Sequence, residues 1–225
     1  MKTFKGILLD IDNTLYDYNL CHQYAMNKCY SWIFENHRIT KENFVNAYDL
    51  SRKTINSRLK NTAASHNRLL YFQLTLEKLN LNPLKYSLEL YNCYWDNFLS
   101  ILTPFKDIEY IFEKYKNICF VTDLTAHIQH RKIIKLGLSK YSNHIVSSEE
   151  AGHEKPNKVI FDLAIEKLNL KKNVVCMIGD NFEKDILGAS QNNIASFWLN
   201  TEKVNCTIPN DCIEINEINE LKNFL

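Results

Sequence analysis

The hydrophobic pattern changes rhythm twice along the chain. A short apolar run, Gly6-Ile7-Leu8-Leu9, leads straight into Asp10-Ile11-Asp12-Asn13-Thr14-Leu15. A run of that length with no polar break reads as a strand buried on both faces, as in a parallel sheet. Apolar positions then recur at spacings of three and four. Cys21, Tyr24, Ala25, Cys29, Trp32 and Ile33 mark a first helix. Thr40 suits the N-cap of a second, with Phe44, Ala47, Tyr48, Ser51, Ile55 and Leu59 on one face. A third carries Leu69, Phe72, Leu76 and Leu79 and stops before Asn82-Pro83. A fourth presents Leu88, Tyr91, Trp95, Phe98 and Leu102 and ends near Thr103-Pro104.

From Pro104 strands and helices alternate. Phe105, Ile108, Ile111, Phe112 and Tyr115 predict a helix, and Ile118 to Val121 a buried strand ending at Thr122-Asp123. A helix with Ile128, Ile133, Ile134 and Leu136 closes at Gly137, and His144 to Ser147 reads as a weak strand. Pro156 is placed to open a helix holding Ile160, Phe161, Ala164 and Leu168. Val174 to Ile178 predicts a strand ending at Gly179-Asp180, followed by a helix from about Phe182 to Gln191. Ile194 to Leu199 and Cys212 to Ile215 complete the set. This alternation means an α/β fold with a doubly wound, Rossmann-like parallel sheet and right-handed crossovers. Residues 1–15 and 104–225 are then expected to form the core, and 16–103 an α-helical domain inserted after the first strand. All five glycines lie outside residues 7 to 136, which favours helices over tight hairpins there. Nine of the twelve tyrosines fall in or beside the helical block, as expected of a bundle core and rim.

Composition narrows the setting. With a net charge of +1 there is no global electrostatic reason to expect a nucleic-acid polymer or a membrane surface as partner. Seven cysteines without a Cys-x-x-Cys pair argue against a disulfide framework or structural zinc and for a reducing compartment. With no signal-like segment and no 18-residue apolar run, the expectation is cytoplasmic.

The polar residues cluster where predicted strands end. Asp10 and Asp12 follow the first strand, Thr122 the second, and Asp180 the strand at 174–178, with Asp185 five residues on; Lys155 precedes Pro156. Parallel strands bring their carboxyl ends to one edge, where open α/β sheets bind ligands. Each feature alone has an ordinary reading: an acidic turn, a solvated lysine, an acid favoured by a helix dipole. Together, these acids, a hydroxyl and a lysine suit a phosphate monoester on magnesium, a hard cation that takes carboxylate, phosphate and water oxygens.

Asp10-x-Asp12-x-Thr14, Thr122, Lys155-Pro156 and Gly179-Asp180-x-x-x-x-Asp185 resemble the four motifs of the haloacid dehalogenase-like superfamily, and the resemblance covers the whole chain, including a helical cap after the first motif. It implies Asp10 as nucleophile and Asp12 as general acid and base. Thr122 and Lys155 would hold phosphate oxygens. Mg2+ would be held by Asp10, the Asp12 carbonyl and Asp180, with Asp185 contributing through water. Asp123 departs from the asparagine or small residue common after the threonine, and its backbone amide, not its carboxylate, is expected to face the phosphate.

The function this implies is hydrolysis of a small phosphorylated metabolite, a nucleoside monophosphate or sugar phosphate, by a monomer or homodimer. A dehalogenase, a phosphosugar mutase and a non-catalytic binding protein on the same fold are the alternatives; Asp12 weighs against the first, since haloacid dehalogenases lack an acid there and need no metal. His127 and His130 read as an exposed helical face. Arg52, Lys53, Arg58 and Arg68 read as solvated charges, while Tyr16, Asp17 and Tyr18 are by position the nearer substrate neighbours. Cys119 and Cys176 are expected in the core.

Overall fold

The structure is a computed structural model that describes residues 3–225. Six strands form one all-parallel sheet: β1 (Gly6–Leu9), β2 (Ile118–Thr122), β3 (His144–Ser147), β4 (Val175–Gly179), β5 (Ala195–Leu199) and β6 (Cys212–Ile215), in the order β3-β2-β1-β4-β5-β6. The apolar runs explain that order. The four inner strands are buried along their whole length, and only the edge strands β3 and β6 have partly exposed positions. The chain winds outward from β1 through β2 to β3, then returns to lay β4 on the other side of β1. A crevice opens at such a reversal, at the carboxyl ends of β1 and β4. Leu9 is in register with both Phe120 and Ile178, so the residues after all three strands emerge at one level.

Five α-helices and a π-helix accompany the sheet, with four more α-helices in the inserted block. In chain order the block holds α1 (Tyr18–His37), α2 (Lys41–Arg58), α3 (Arg68–Lys78) and α4 (Pro83–Ser100), and the sheet unit α5 (Glu109–Lys114), α6 (Ala126–Lys135), α7 (Ser148–Ala151), α8 (Lys158–Leu168) and α9 (Gly188–Gln191), the sixth helical stretch being a π-helix over Phe182–Leu187. Ile160, Phe161, Ala164 and Leu168 of α8 pack with Leu8, Cys119, Val121, Val175 and Met177 into one core layer. At about 25 cal/mol per Å² this burial is the main stabilising term of the unit.

Three predicted elements differ. The helix expected from Phe105 is shorter, because the Phe105 amide donates instead to the Leu15 carbonyl (2.8 Å) and only Glu109–Lys114 coils. Pro156 does not open α8: the Lys155–Pro156 peptide is cis, and Asn157 caps the helix by accepting from the Val159 amide at 3.0 Å. The segment after β4 starts as the π-helix, in which Asp185 and Ile186 both donate to the Asn181 carbonyl (2.8 and 3.4 Å).

The chain divides into two compact units, residues 1–17 with 103–225 and residues 18–102. Tyr16, assigned by its pattern to the helical block, belongs with the sheet unit, because it is fully buried with its hydroxyl on the Asp12 carboxylate. The helical unit is held by aromatic packing: Tyr48, Tyr71, Phe72, Tyr94, Trp95 and Phe98 are all buried. Side-chain oxygens of Thr40, Asn67 and Asn82 cap α2, α3 and α4. Arg52, Lys53 and Arg58 are exposed as expected, but Arg68 is only 6% exposed. Its guanidinium lies over the Tyr71 and Tyr94 rings, donates to the His66 carbonyl at 3.2 Å, and meets the Tyr18 hydroxyl. Aromatic faces and oxygen acceptors take the place of water for this charge. Beside it His22 Nδ1 is 2.7 Å from the Tyr94 hydroxyl. All seven cysteines are free, Cys119 and Cys176 within the core, and no helix among the described residues is long and apolar enough to cross a membrane.

Candidate active site

Asp10 continues the β1 ladder by donating its amide to Ile178 O at 3.0 Å, which fixes its Cα at the crevice. Its side chain is nearly buried (5% exposed) and divided between two donors. Lys155 Nζ donates to Oδ1 at 2.6 Å and Thr14 Oγ1 to Oδ2 at 3.1 Å. Lys155, delivered by the loop ahead of α8, also donates to Asp185 Oδ1 at 2.6 Å and to the Val121 carbonyl at 3.0 Å. An ammonium has three N–H groups, so all three are in use. The second oxygen of Asp185 accepts from the Asn181 amide at 3.1 Å. Gly179 makes room for it, since a Cβ there would lie 2.4 Å from Asp185 Oδ2.

Asp10, Asp180 and Asp185 each bring an oxygen to within 4.8 Å of the others. Burial pushes Asp10 well above the usual carboxylate range; Lys155 opposes this, and the Asp185 and Asp180 charges add to it. Asp180 is pushed up to about 7, by burial and then by Asp185. Asp185 is raised by burial against the pull of Lys155. Burial disfavours charge on Lys155, yet Asp10 and Asp185 outweigh it and hold the ammonium well above its ordinary value. Three crowded acids around one cation leave negative charge unmet. That deficit, presented entirely through oxygen donors, fits a magnesium ion.

Asp12 stands in a separate environment. Lys132 Nζ touches both of its oxygens at 2.7 Å, the Tyr16 hydroxyl donates to Oδ1 at 2.5 Å, and Gln129 Nε2 lies 3.4 Å from Oδ2. Burial works to raise Asp12, but Lys132 and the neighbouring donors prevail and leave it below the usual range. Thr122 Oγ1 accepts from Gln129 Nε2 at 2.8 Å and donates to the Asp123 carbonyl at 3.2 Å. The Asp123 carboxylate is committed elsewhere: Oδ1 accepts the Lys155 amide at 3.0 Å and Oδ2 pairs with Lys184 at 2.7 Å. Leu124, next along, has φ near 100°, a conformation costly for a side chain of its size. Ser148 holds it there, accepting from its amide at 2.9 Å and donating to its carbonyl at 3.3 Å.

Asp10, Lys155, Asp180 and Asp185 therefore meet in one cluster, while Asp12, Thr122 and Asp123 join a second network through Gln129. Gln129, Lys132 and Lys184 escaped the reading of motifs, and Tyr16, singled out by position as a substrate neighbour, is fully buried with its hydroxyl on Asp12. For Lys132 a signal was present: it lies four residues from both Ile128 and Leu136, on the apolar stripe of α6, where a solvated lysine does not belong. His127 and His130 are exposed on the same helix.

Comparison with known proteins bears on the family and the fold. Residues 4–193 match the family described as haloacid dehalogenase-like hydrolase. A ribulose-1,5-bisphosphate 5-phosphatase of Halopiger xanaduensis is 34% identical over 191 residues, covering 82% of this chain and 80% of its own. A glyceraldehyde 3-phosphate phosphatase of Methanothermobacter thermautotrophicus is 28% identical over 98% of this chain and 99% of its own. The magnesium-bound structure of the HAD-hydrolase YfnB from Bacillus subtilis superposes with a TM-score of 0.71 at 21% identity, covering 99% of both chains, and so shares the fold. With a match that runs from the first strand past the last acidic motif, the chain belongs to the haloacid dehalogenase-like hydrolases.

Proposed function

We propose that this hydrolase is a magnesium-dependent phosphatase of a small phosphate monoester, a nucleoside monophosphate or a sugar phosphate, working through an aspartyl-phosphate on Asp10. One observation carries the reading. Two carboxylates two residues apart are held by different cations, Asp10 by Lys155 and Asp12 by Lys132, so that each has its own partners and its own direction. Environments that separate two acids in this way suit them to separate roles.

In the first step an oxygen of Asp10 attacks phosphorus and the bond to the leaving oxygen breaks; Asp12, held as the carboxylate by Lys132 in the resting site, takes up the proton that a phosphate monoester monoanion brings and passes it to that oxygen. In the second, Asp12 takes a proton from water, the water oxygen attacks phosphorus, and the acyl–phosphate bond breaks to return the Asp10 carboxylate and free phosphate. Thr122 and Lys155 offset charge on the phosphoryl oxygens. Since the three N–H groups of Lys155 are already engaged, it takes up a phosphate oxygen by giving up one acceptor. Asp10, Asp180 and the Asp12 carbonyl would hold magnesium, with Asp185 reaching it through water; the ion would supply the positive charge that favours ionised Asp10. The Asp123 carboxylate, tied to Lys184, is kept from repelling phosphate.

The relatives named as phosphatases support the reaction class. Phosphate release measured across a panel of nucleoside monophosphates and sugar phosphates, for wild type and Asp10→Asn, tests it. The wild type is expected to release phosphate from a subset of the panel, and the variant to lose several orders of magnitude in kcat while melting at or above the wild-type temperature, because one crowded charge is gone. Near-wild-type turnover by Asp10→Asn removes Asp10 from the mechanism.

A further inference from the structure

Lys132 shares with Asp185 the deepest burial of any charged side chain in the sheet unit: it is 0% exposed, in the last turn of α6. A lysine in that position costs several kcal/mol in desolvation unless an ion pair of good geometry offsets it. The pair here is Asp12, gripped at both oxygens at 2.7 Å. The grip is one of three. Tyr16, also fully buried, donates to the same Oδ1 at 2.5 Å. Gln129 reaches Oδ2 at 3.4 Å and uses the same amide nitrogen on Thr122 Oγ1 (2.8 Å) and the Asp123 carbonyl (2.7 Å). Its Oε1, buried, has no hydrogen-bond partner among the described residues. Turning the amide over would aim that oxygen at the Asp12 and Asp123 acceptors, so the NH2 group is locked toward them. Asp12 meanwhile keeps 28% of its side chain exposed. It is held from the protein side and open on the other.

We propose that Lys132 is a positioning residue for proton transfer: with Tyr16 and Gln129 it fixes the direction of the Asp12 carboxylate, so that the open edge of Asp12 presents itself to the leaving oxygen and then to the attacking water. The inference rests on the acid–base role given to Asp12. The physical need is plain. An aspartate on a turn, next to Asn13 in the left-handed region (φ 62°), has several staggered wells within reach, and proton transfer needs one of them. Two cations at the site also divide the two acids between them. Without Lys132, Asp12 is left with neutral donors only, and its carboxylate is free to swing.

A positioning role and a merely structural one differ in what Lys132→Met does. If Lys132 positions Asp12, the rate of a single turnover on a sugar phosphate falls by roughly 10²-fold, the cost of a small misplacement of a reacting group. The same step on p-nitrophenyl phosphate, whose leaving oxygen hardly needs a proton, stays within a few-fold of wild type. KM and the magnesium concentration for half-activity remain unchanged. Lys132→Met leaves a half-buried carboxylate without its cation and is at risk of misfolding, so the decisive comparison is Asp12→Asn against Asp12→Asn/Lys132→Met, which removes both charges together. On the Asp12→Asn background the added Lys132→Met is expected to change the rate less than three-fold, since Lys132 acts through a carboxylate already gone.

A further large fall in the double variant would overturn the inference by showing that Lys132 acts on substrate directly. An equal loss on both leaving groups by a folded Lys132→Met would overturn it in favour of a structural role. Near-wild-type turnover by Asp12→Asn is a different failure: it would strike the acid–base reading of Asp12 itself.

Discussion

Lys155→Met tests the electrostatics of the acid cluster most directly. In the native protein the ammonium lies 2.6 Å from an oxygen of Asp10 and 2.6 Å from an oxygen of Asp185, with side-chain exposures of 3, 7 and 1%. Methionine preserves most of the volume and removes the charge, leaving two buried carboxylates facing each other and Asp180. Breaking a buried ion pair by removing one partner costs about 3–5 kcal/mol. For a chain of this size that lowers Tm by roughly 10 °C.

The loss must depend on pH, and its sign follows from the acids left behind. Asp10 and Asp185 already lie above the ordinary value with Lys155 in place, and rise further without it. An acid raised in the folded state retains its proton there while the unfolded chain has lost its own, so stability falls as pH rises from the unfolded value toward the folded one. Lys155→Met should therefore melt far below wild type at pH 8 and within about 1 kcal/mol of it near pH 4.5, where the carboxyls are neutralised by protons. Millimolar magnesium should restore part of the difference at pH 8 by replacing the missing positive charge. Differential scanning calorimetry of both proteins at the two pH values, with and without magnesium, measures this. Equal melting at pH 8, or a deficit that is the same at both pH values, would refute the reasoning.

Other outcomes follow from neighbouring contacts. Gly179→Ala drives a Cβ to within 2.4 Å of Asp185 Oδ2, so it should cost about 1–3 kcal/mol in thermal unfolding and raise the magnesium needed for half-activity; a variant unchanged in both would show that Asp185 moves aside freely. Asp180→Ala should raise the magnesium requirement sharply or abolish the response, and full wild-type activity in excess chelator would remove the metal from the reaction. His22 is pushed down to about 4 by burial and by the Arg68 and Arg52 charges, so the unfolded chain takes up its proton from about pH 6.5 while the folded one resists until about 4. Stability should fall over that interval by at most about 3 kcal/mol, and His22→Gln should flatten that part of the urea-denaturation profile relative to wild type.

The fold was largely legible because its signals are local. Ile7 to Leu9, Ile118 to Val121 and Val174 to Ile178 are apolar without interruption, and only doubly covered strands want that. The polar residues that end them, Asp10, Thr122 and Asp180, were visible for the same reason, since each stands at the first polar position after such a run. What escaped depended on the third dimension. Nothing in the spacing of Asp185 foretells a π-helical turn, or that its carboxylate fills the space a side chain at Gly179 would need. The Asp123 carboxylate found its cation in Lys184, 61 residues away, and no pairing rule spans that distance. Arg68 looked like any helical surface charge until the tyrosines around it were placed. Lys132 is the instructive miss: its place on the apolar stripe of α6 was readable, and its partner was not.

The position of β1 in the sheet also governs how the protein is assembled. β1 is made before every other strand, yet it lies between β2 and β4, and the whole helical unit is synthesised before the first of these appears. At a translation rate of about 5–20 residues per second, Ile7, Leu8 and Leu9 wait on the order of ten seconds for β4 to close over them. The helices of residues 18–102, whose partners are near in sequence, have every reason to form during that wait. The strand that leads into Asp10 is thus an early exposed hydrophobic segment and among the latest to be paired. A chaperone that meets this chain during synthesis should find its binding site in Ile7-Leu8-Leu9, and the acid cluster should be assembled only when β4 docks.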